Sequence, residues 1–427
     1  ESLPRAIQPG ETLYSGTVNL DHPIEGVALG QSSESLLSDI ANMLEAGEQK
    51  RARYRKIADR AVSLYVPFVH TAAALTLIAW LTLGASPREA VMVAVATLII
   101  TCPCALALAA PVAQVVSSGR LFRNGIFLRS GDALERFAEI DHVVLDKTGT
   151  LTLGTPLLVS DPGQDLEAAA QLARASRHPL SRAIVAAAGA GPVAETVREV
   201  SGHGVEGQVD GEICRLGSRE WVGAEGSPQT SGPSLWFARG ERAPVLFEFK
   251  DQLQGDAKTA LDELKQQGLG IEILSGDSER AVQGVAEELH IPTWRSQVSP
   301  QGKVDRLTEL ADQGKKVLMV GDGLNDAGAL SLAHASLAPG GAMDVSQSAS
   351  DAVYSGGLSA LQTVLRTSKR TRSVMLQNFA LAALYNAIAV PIAVTGNVTP
   401  LIAAIAMSAS SLIVTLNALR LNGGRAT

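Results

Sequence analysis

Four stretches of this chain are apolar over close to the roughly 20 residues that a helix needs to cross a bilayer core. They run at about 62–83, 90–116, 374–394 and 401–419. The turns GASPRE (84–89) and GNVTP (396–400) join them in pairs, so each pair reads as a helical hairpin. Basic residues flank the hairpins. Arg51, Arg53, Arg55, Lys56 and Arg60 precede the first span, and Arg120, Arg123 and Arg129 follow the second. Lys369, Arg370 and Arg372 precede the third, and Arg420 and Arg425 follow the fourth. The two turns carry only Arg88. The excess of positive charge on the cytoplasmic side then places the long middle region in the cytoplasm.

That middle region, about 136–357, has a different pattern. DHVVLD (141–146), IEILSGD (271–277) and KKVLMVGD (315–322) are short apolar runs that end in a carboxylate. Helical periods such as KTALDELKQQG (258–268) and ERAVQGVAEELH (279–290) lie between them. Strands alternating with helices predict a parallel sheet covered on both faces. Ligands bind such sheets at the carboxyl ends of the strands, where Asp146, Asp277 and Asp322 stand. Residues 157–245, rich in Gly, Ala and Ser, read as a domain inserted into this sheet, with SDPGQD and GAEGSPQTSGPS as loops.

Composition agrees with a mixture of bilayer spans and soluble domains: 46% of the 427 residues are hydrophobic and 19% charged. Net charge is −7, and no basic tract is interleaved with aromatics, which argues against nucleic acid as a partner. Cysteines are three: Cys102, Cys104 and Cys214. An odd count, with two in one apolar run, predicts reduced thiols or metal ligation rather than a disulfide scaffold. The chain starts at Glu1 with neither initiator Met nor signal peptide, and is expected to be the remainder of a longer protein.

The candidate chemistry sits at the strand ends. In DKTGTLT (146–152), Asp146 can act as a nucleophile, and the turn from Lys147 to Thr152, through Thr150, offers backbone N–H groups to a phosphate. GDGLND (321–326) adds Asp322, Asn325 and Asp326, and carboxylates beside a phosphate site suit Mg²⁺. Ser275 is placed to hydrogen-bond a phosphoryl oxygen and Lys303, in SPQGK, to neutralise its charge.

DKTGTLT and GDGLNDA together resemble the P-type ATPases, whose phosphorylation domain has the haloacid-dehalogenase-like fold. The resemblance implies ATP as phosphoryl donor, Asp146, Lys147, Thr148, Thr150, Ser275, Asp277 and Lys303 as catalytic residues, and Mg²⁺ on Asp146, Thr148, Asp322 and Asp326. Related phosphatases carry an acid–base Asp two residues after the nucleophile. Thr148 stands there instead, so water is poorly activated and an aspartyl phosphate should persist. ESLP at the start looks like the tail of the actuator motif of these pumps, so Glu1 would position the hydrolytic water and residues 1–34 would be an actuator remnant. SRHPLSRAI (176–184) and GHGVEG (202–207) match nucleotide-binding motifs of heavy-metal pumps, which assigns His178, Pro179, Gly202 and Gly204, together with Asn325, to nucleotide binding. Two positions depart from the pattern: Ala173, where copper pumps usually have Glu, and Gly328, where Pro is usual.

Cys-Pro-Cys at 102–104 marks the heavy-metal subgroup. On an intact helix, positions i and i+2 point about 200° apart. Pro103 interrupts the helical hydrogen bonding, so unwinding can turn both thiolates toward one cavity, where a soft monovalent ion suits them. Tyr385, Asn386, Met407, Ser410 and Ser411 match the last two helices of Cu(I) and Ag(I) pumps, which makes Tyr385, Asn386, Met407 and Ser411 further ion ligands by resemblance. Zinc and cadmium pumps tend to carry Lys and Asp there. Residues 108–141 look most like the copper pumps associated with cbb3-type oxidase assembly.

The expected protein is therefore a multi-domain membrane protein: an α-helical transmembrane bundle, a cytoplasmic α/β haloacid-dehalogenase-like phosphorylation domain and an inserted α+β nucleotide-binding domain. Its expected layout is an actuator remnant (1–34), a stalk and two spans (35–135), the phosphorylation domain in two parts (136–156 and 246–357) around the nucleotide-binding domain (157–245), and two final spans (358–427). The resemblance implies ATP-driven export of Cu(I) across a bacterial inner membrane, with membrane lipid, copper ion and a copper chaperone as partners. The alternatives are a zinc or cadmium pump, a membrane-tethered phosphatase of the same fold and a passive metal-binding module.

Overall fold

The computed structural model describes residues 7–11, 24–27, 57–102, 104–200, 202–224, 233–342 and 344–423. Glu1 and Pro103, and most of the expected actuator remnant, lie outside them.

Helix α1 (Ile57–Thr82) and helix α2 (Pro87–Ile100) form the first hairpin. Ser86 opens α2 with a capping box: its hydroxyl accepts from Glu89 N–H, and Glu89 reaches back to Ser86 N–H. The apolar run then breaks. Helix α2 ends at Ile100, and the chain resumes as α3 (Cys104–Arg123). The Thr101 hydroxyl donates back to Thr97 O at 2.6 Å, and Cys102 N–H donates to Ile99 O at 3.1 Å, closing α2 in a tight turn.

The strands follow: β1 (Ile126–Leu128), β2 (His142–Leu145), β3 (Thr152–Leu158), β4 (Glu195–Val200), β5 (Gly204–Val209), β6 (Glu212–Gly217), β7 (Ser234–Arg239), β8 (Val245–Leu253), β9 (Gly270–Leu274), β10 (Thr293–Arg295), β11 (Val317–Val320), β12 (Ala335–Pro339) and β13 (Ala352–Tyr354). Seven of these form one sheet in the order β1-β13-β12-β11-β2-β9-β10, parallel except for β1 against β13. Connections from the middle run outward both ways, so the switch point lies at β2 and β11. That is where a parallel sheet opens a ligand crevice. The strands are apolar throughout because helices cover both faces: Val143, Leu145, Ile273 and Leu318 face one buried cluster, and Val144, Leu274 and Met319 the other.

The other six strands form an antiparallel sheet, β3-β8-β7-β6-β5-β4. Helices Asp165–Ala173 and Pro179–Ala188 cover it through Leu172, Ile184, Phe237 and Phe247. It joins the first sheet through the β3–β8 pair, which runs from Thr152↔Leu253 to Leu158↔Phe249 and so reaches past 157–245 at both ends. Pairing makes the two crossings between sheets one unit.

Two long helices close the chain: Ser359–Val394, of 36 residues, and Pro400–Leu419. Both are long and apolar enough to cross a membrane. Leu401, Ile405, Leu412 and Leu75 are exposed on the helical bundle, an apolar surface suited to lipid rather than water.

Candidate active site and membrane sulfur site

Asp146 leaves β2 at the switch point, and residues 147–151 turn sharply over the sheet edge. Gly149 makes the turn possible. Its φ is 71°, and a Cβ there would sit on the Asp322 carboxylate. Asp322 follows β11, and Asp326 lies one short helical turn later. One oxygen from each of Asp146, Asp322 and Asp326 falls within a 4.8 Å cluster. Lys303, buried in the helix Pro300–Asp312, reaches Asp146 Oδ1 at 2.5 Å and Asp326 Oδ1 at 2.6 Å.

The charges do not balance. Three carboxylates face one ammonium. Burial, then the Asp326 charge, pushes Asp146 up to about 7 against the pull of Lys303. Burial and Asp326 likewise push Asp322 up to about 6. Lys303 is raised, since its two carboxylates outweigh its burial. A donor set of convergent oxygens with excess negative charge fits a divalent cation such as Mg²⁺.

Removing the ammonium has a calculable consequence. Lys303→Ala should cost about 3–5 kcal/mol, the range for breaking a buried ion pair. The cost depends on pH with a definite sign. A carboxyl whose folded value lies above its unfolded one takes up protons on folding, so this site's contribution to stability improves as pH falls. Lys303 pulls both down, to about 7 for Asp146 and about 6 for Asp322; without it they rise further, so the Lys303→Ala deficit should be larger at pH 8 than at pH 5. Thermal unfolding at both pH values, without Mg²⁺, checks this.

Beside the cluster is a second ionic group. Lys147 pairs with Asp251 and, at 2.8 Å, with Asp277. Burial works against its charge, but the two carboxylates prevail and raise it. Thr148 Oγ1 donates to Asp277 Oδ2 at 3.0 Å, and Asp277 N–H donates to Ser275 Oγ at 3.2 Å. Asp277 thus stays outside the carboxylate cluster and orients the loop. Burial alone would raise its pKa, yet Lys147 and Thr148 hold it below the ordinary carboxylate value. Ser275 is buried at the end of β9. The Thr150 hydroxyl is buried without a hydrogen-bond partner among the described residues, and Asn325 is exposed at the rim. Sequence reasoning missed Asp251. Its only signal was an acid interrupting a strand, in FEFKDQL (247–253).

In the second sheet, His178 caps the helix Pro179–Ala188: its Nδ1 accepts from Leu180 N–H at 3.2 Å, and Pro179 occupies the first turn, where no N–H is needed. Burial lowers the imidazole's proton affinity and favours the neutral ring, outweighing the opposite pull of Glu199. Ser176 Oγ, hydrogen-bonded to Glu199 at 2.8 Å, ties this loop to the end of β4, which leads into Gly202. Gly202 takes a φ of 71°, and a Cβ on Gly204 would strike the Leu216 carbonyl. Gly204 is therefore required by its pairing with β6, whatever else it does. Ala173 is buried in the core of this domain, a position where a carboxylate would have no water. Gly328 lies buried in the first turn of Ala327–Leu332.

In the helical bundle, the break between α2 and α3 brings sulfur atoms together. Cys104 Sγ lies 3.8 Å from Met407 Sδ of the last helix. Cys102 and Cys104 are joined as a disulfide, which corrects the expectation of reduced thiols. The physical reason is the same unwinding: with the helix open at this point, both side chains turn to one spot. Tyr385 packs against the apolar cluster that includes Ala96, Ile100 and Ala389. The Tyr385 hydroxyl and Asn386 Oδ1 are buried with no hydrogen-bond partner among the described residues. Ser411 stands one turn after Met407, on the same face of its helix.

Known proteins share this fold. Residues 140–334 match the model of the haloacid dehalogenase-like hydrolases. A zinc-transporting PIB-type ATPase, solved in its E2.Pi state, superposes with a TM-score of 0.80 at 30% identity, over 92% of this chain and 68% of that one. The chain belongs to the PIB-type ATPases. Among curated proteins, this PIB-type chain is 45% identical to the nitrogen fixation protein FixI of Rhizobium meliloti (strain 1021), over 99% of its own length and 56% of the relative's. It is 34% identical to a copper-exporting P-type ATPase of Mycobacterium tuberculosis (strain ATCC 25618 / H37Rv), over 99% of its length and 58% of that protein's. It therefore spans little more than half of the curated relatives it matches. As in any PIB-type ATPase, its apolar helices are the membrane part and its two sheets the soluble part.

Proposed function

We propose that the full-length protein containing this chain exports Cu(I), or Ag(I), by ATP hydrolysis through an aspartyl phosphate on Asp146. The observation that carries the reading is the meeting of Cys102, Cys104 and Met407 at a helix break, on the same chain as the Asp146–Lys303 cluster. Three sulfur ligands suit a soft monovalent ion. Tyr385, Asn386 and Ser411 complete the ion path in this reading, and the orphaned Tyr385 and Asn386 oxygens support their inclusion.

In the cytoplasmic domains, His178, Pro179, Gly202 and Gly204 hold ATP, and closure about the β3–β8 pair brings it to Asp146. The Asp146 carboxylate attacks the γ-phosphorus, the bond to ADP breaks, and ADP leaves. Asp146, Thr148, Asp322 and Asp326 would hold Mg²⁺, which would supply charge neutralisation for the transferred group. Lys303, Ser275 and the amides near Thr150 receive the phosphoryl oxygens. Thr148 cannot act as an acid–base, so the intermediate waits for Glu1 to position water. The cell compartment is a bacterial inner membrane with the catalytic domains in the cytoplasm, and a copper chaperone is the donor partner. The likeness of residues 108–141 to pumps associated with cbb3-type oxidase assembly supports a dedicated supply role over detoxification, and identity is higher to the nitrogen fixation proteins than to the copper exporters.

Likeness to a zinc transporter favours a second reading, zinc or cadmium export. Residues 374–394 and 401–419 hold no charged residue to accompany a divalent ion. The deciding experiment is acid-stable phosphoenzyme from ATP in the full-length protein, with Cu(I) under reductant compared against Zn²⁺. Labelling stimulated by Cu(I) alone is the expected result. Stimulation by Zn²⁺ instead would overturn the copper reading.

A further inference from the structure

Residues 251–256 tie the phosphorylation loop to the long membrane helix. Asp251 pairs with Lys147, the neighbour of Asp146. Gln254 N–H donates to Leu151 O at 2.9 Å, at the other end of the same loop. Asp256 then accepts two amides, Leu358 N–H at 3.0 Å and Ser359 N–H at 2.8 Å. These amides open the helix Ser359–Val394, whose own N-cap, Leu358, offers no side-chain acceptor. Gly357 lets the carboxylate approach, because a Cβ there would overlap it.

A carboxylate accepting two free amides at a helix N-terminus is held by charge-assisted hydrogen bonds and by the helix dipole together. The helix it grips runs unbroken for 36 residues and carries Tyr385 and Asn386 roughly 40 Å from the cap, at 1.5 Å per residue. We infer that Asp256 is a positioning residue: it makes the start of this helix follow the phosphorylation loop, and so links ion occupancy in the membrane to phosphorylation at Asp146. The inference rests on the aspartyl-phosphate reading above. It adds a specific joint, two hydrogen bonds from one carboxylate, where that link can be cut without touching either site.

The test uses the full-length protein in membranes and compares wild type with Asp256→Ala and Asp256→Asn. Each is labelled from inorganic phosphate with Mg²⁺, and Cu(I) is titrated in to suppress the label. Asp256→Ala should keep metal-free labelling close to wild type, while the Cu(I) needed for half-suppression rises about tenfold, within the usual range for lost coupling between sites. Asp256→Asn keeps one acceptor and should fall between the two. An unchanged Cu(I) dependence in Asp256→Ala overturns the inference. So does a uniform loss of label from phosphate and ATP in both variants with the Cu(I) midpoint preserved, which is what a purely structural role would give. If Zn²⁺ rather than Cu(I) suppresses label in wild type, the copper reading fails, and the same comparison with Zn²⁺ decides the role of Asp256. No suppression by either metal in wild type overturns both.

Discussion

Asp146→Asn in the full-length protein abolishes acid-stable labelling from ATP, a loss of about 10⁶-fold in turnover, the size found when a catalytic nucleophile is removed. Asparagine fills the same space but cannot form the acyl phosphate. Nucleotide binding should survive, because His178 and the turn at Gly202 belong to the other sheet. Stability should hold or improve. Asp146 is a buried carboxyl already pushed up to about 7, and a neutral amide relieves its repulsion with Asp326 while Lys303 keeps one carboxylate partner. Label and thermal unfolding are therefore measured together. Residual label on a well-folded Asp146→Asn protein would show that another residue is the nucleophile.

Cys104→Ala should abolish Cu(I)-stimulated labelling. Its loss in Cu(I) affinity should be no less than the roughly 10–100-fold that even outer-shell partners of a metal site are worth. Cys104 touches both other sulfurs, Cys102 and Met407, so no other single change removes as much of the cluster. Met407→Leu should weaken binding less, since a neutral thioether is exchanged for a side chain of similar shape. The disulfide adds a condition: a paired Cys102 and Cys104 offers no thiolate, so wild-type stimulation should require reductant and vanish on oxidation. Competition with a chromogenic Cu(I) chelator measures all three proteins. Unchanged Cu(I) affinity in Cys104→Ala would move the ion site away from this helix break.

Much of the architecture was legible because its signals are local. The apolar lengths at 374–394 and 401–419 match long helices. The strands at Asp146 and Asp322 were visible from their apolar runs, and Gly149 from the motif around it. The second apolar stretch, 90–116, was legible as a broken helix through its Cys-Pro-Cys, and helices end and restart at Ile100 and Cys104. Glu1 lies outside the described residues. What was not legible is who meets whom. Asp277 reads like Asp146, an acid after a strand, yet it turns to Lys147 rather than to the carboxylate cluster. Asp251 and Asp256 carry no motif at all.

By itself the sequence determined the class of molecule: helical hairpins before and after a parallel sheet interrupted by an inserted domain, with an acid at the end of a central strand. Period, apolar length and short motifs act within a few residues, so they survive in the linear text. The tertiary structure decided the contacts inside the sites, whose residue types the motifs had named. Lys303 lies 157 residues from Asp146 in the chain, and Met407 lies 303 from Cys104. Contacts at that separation follow from how sheets and helices pack, and no local pattern encodes them. Packing also set the charge excess among Asp146, Asp322 and Asp326, because a carboxylate's proton affinity depends on its burial and its neighbours.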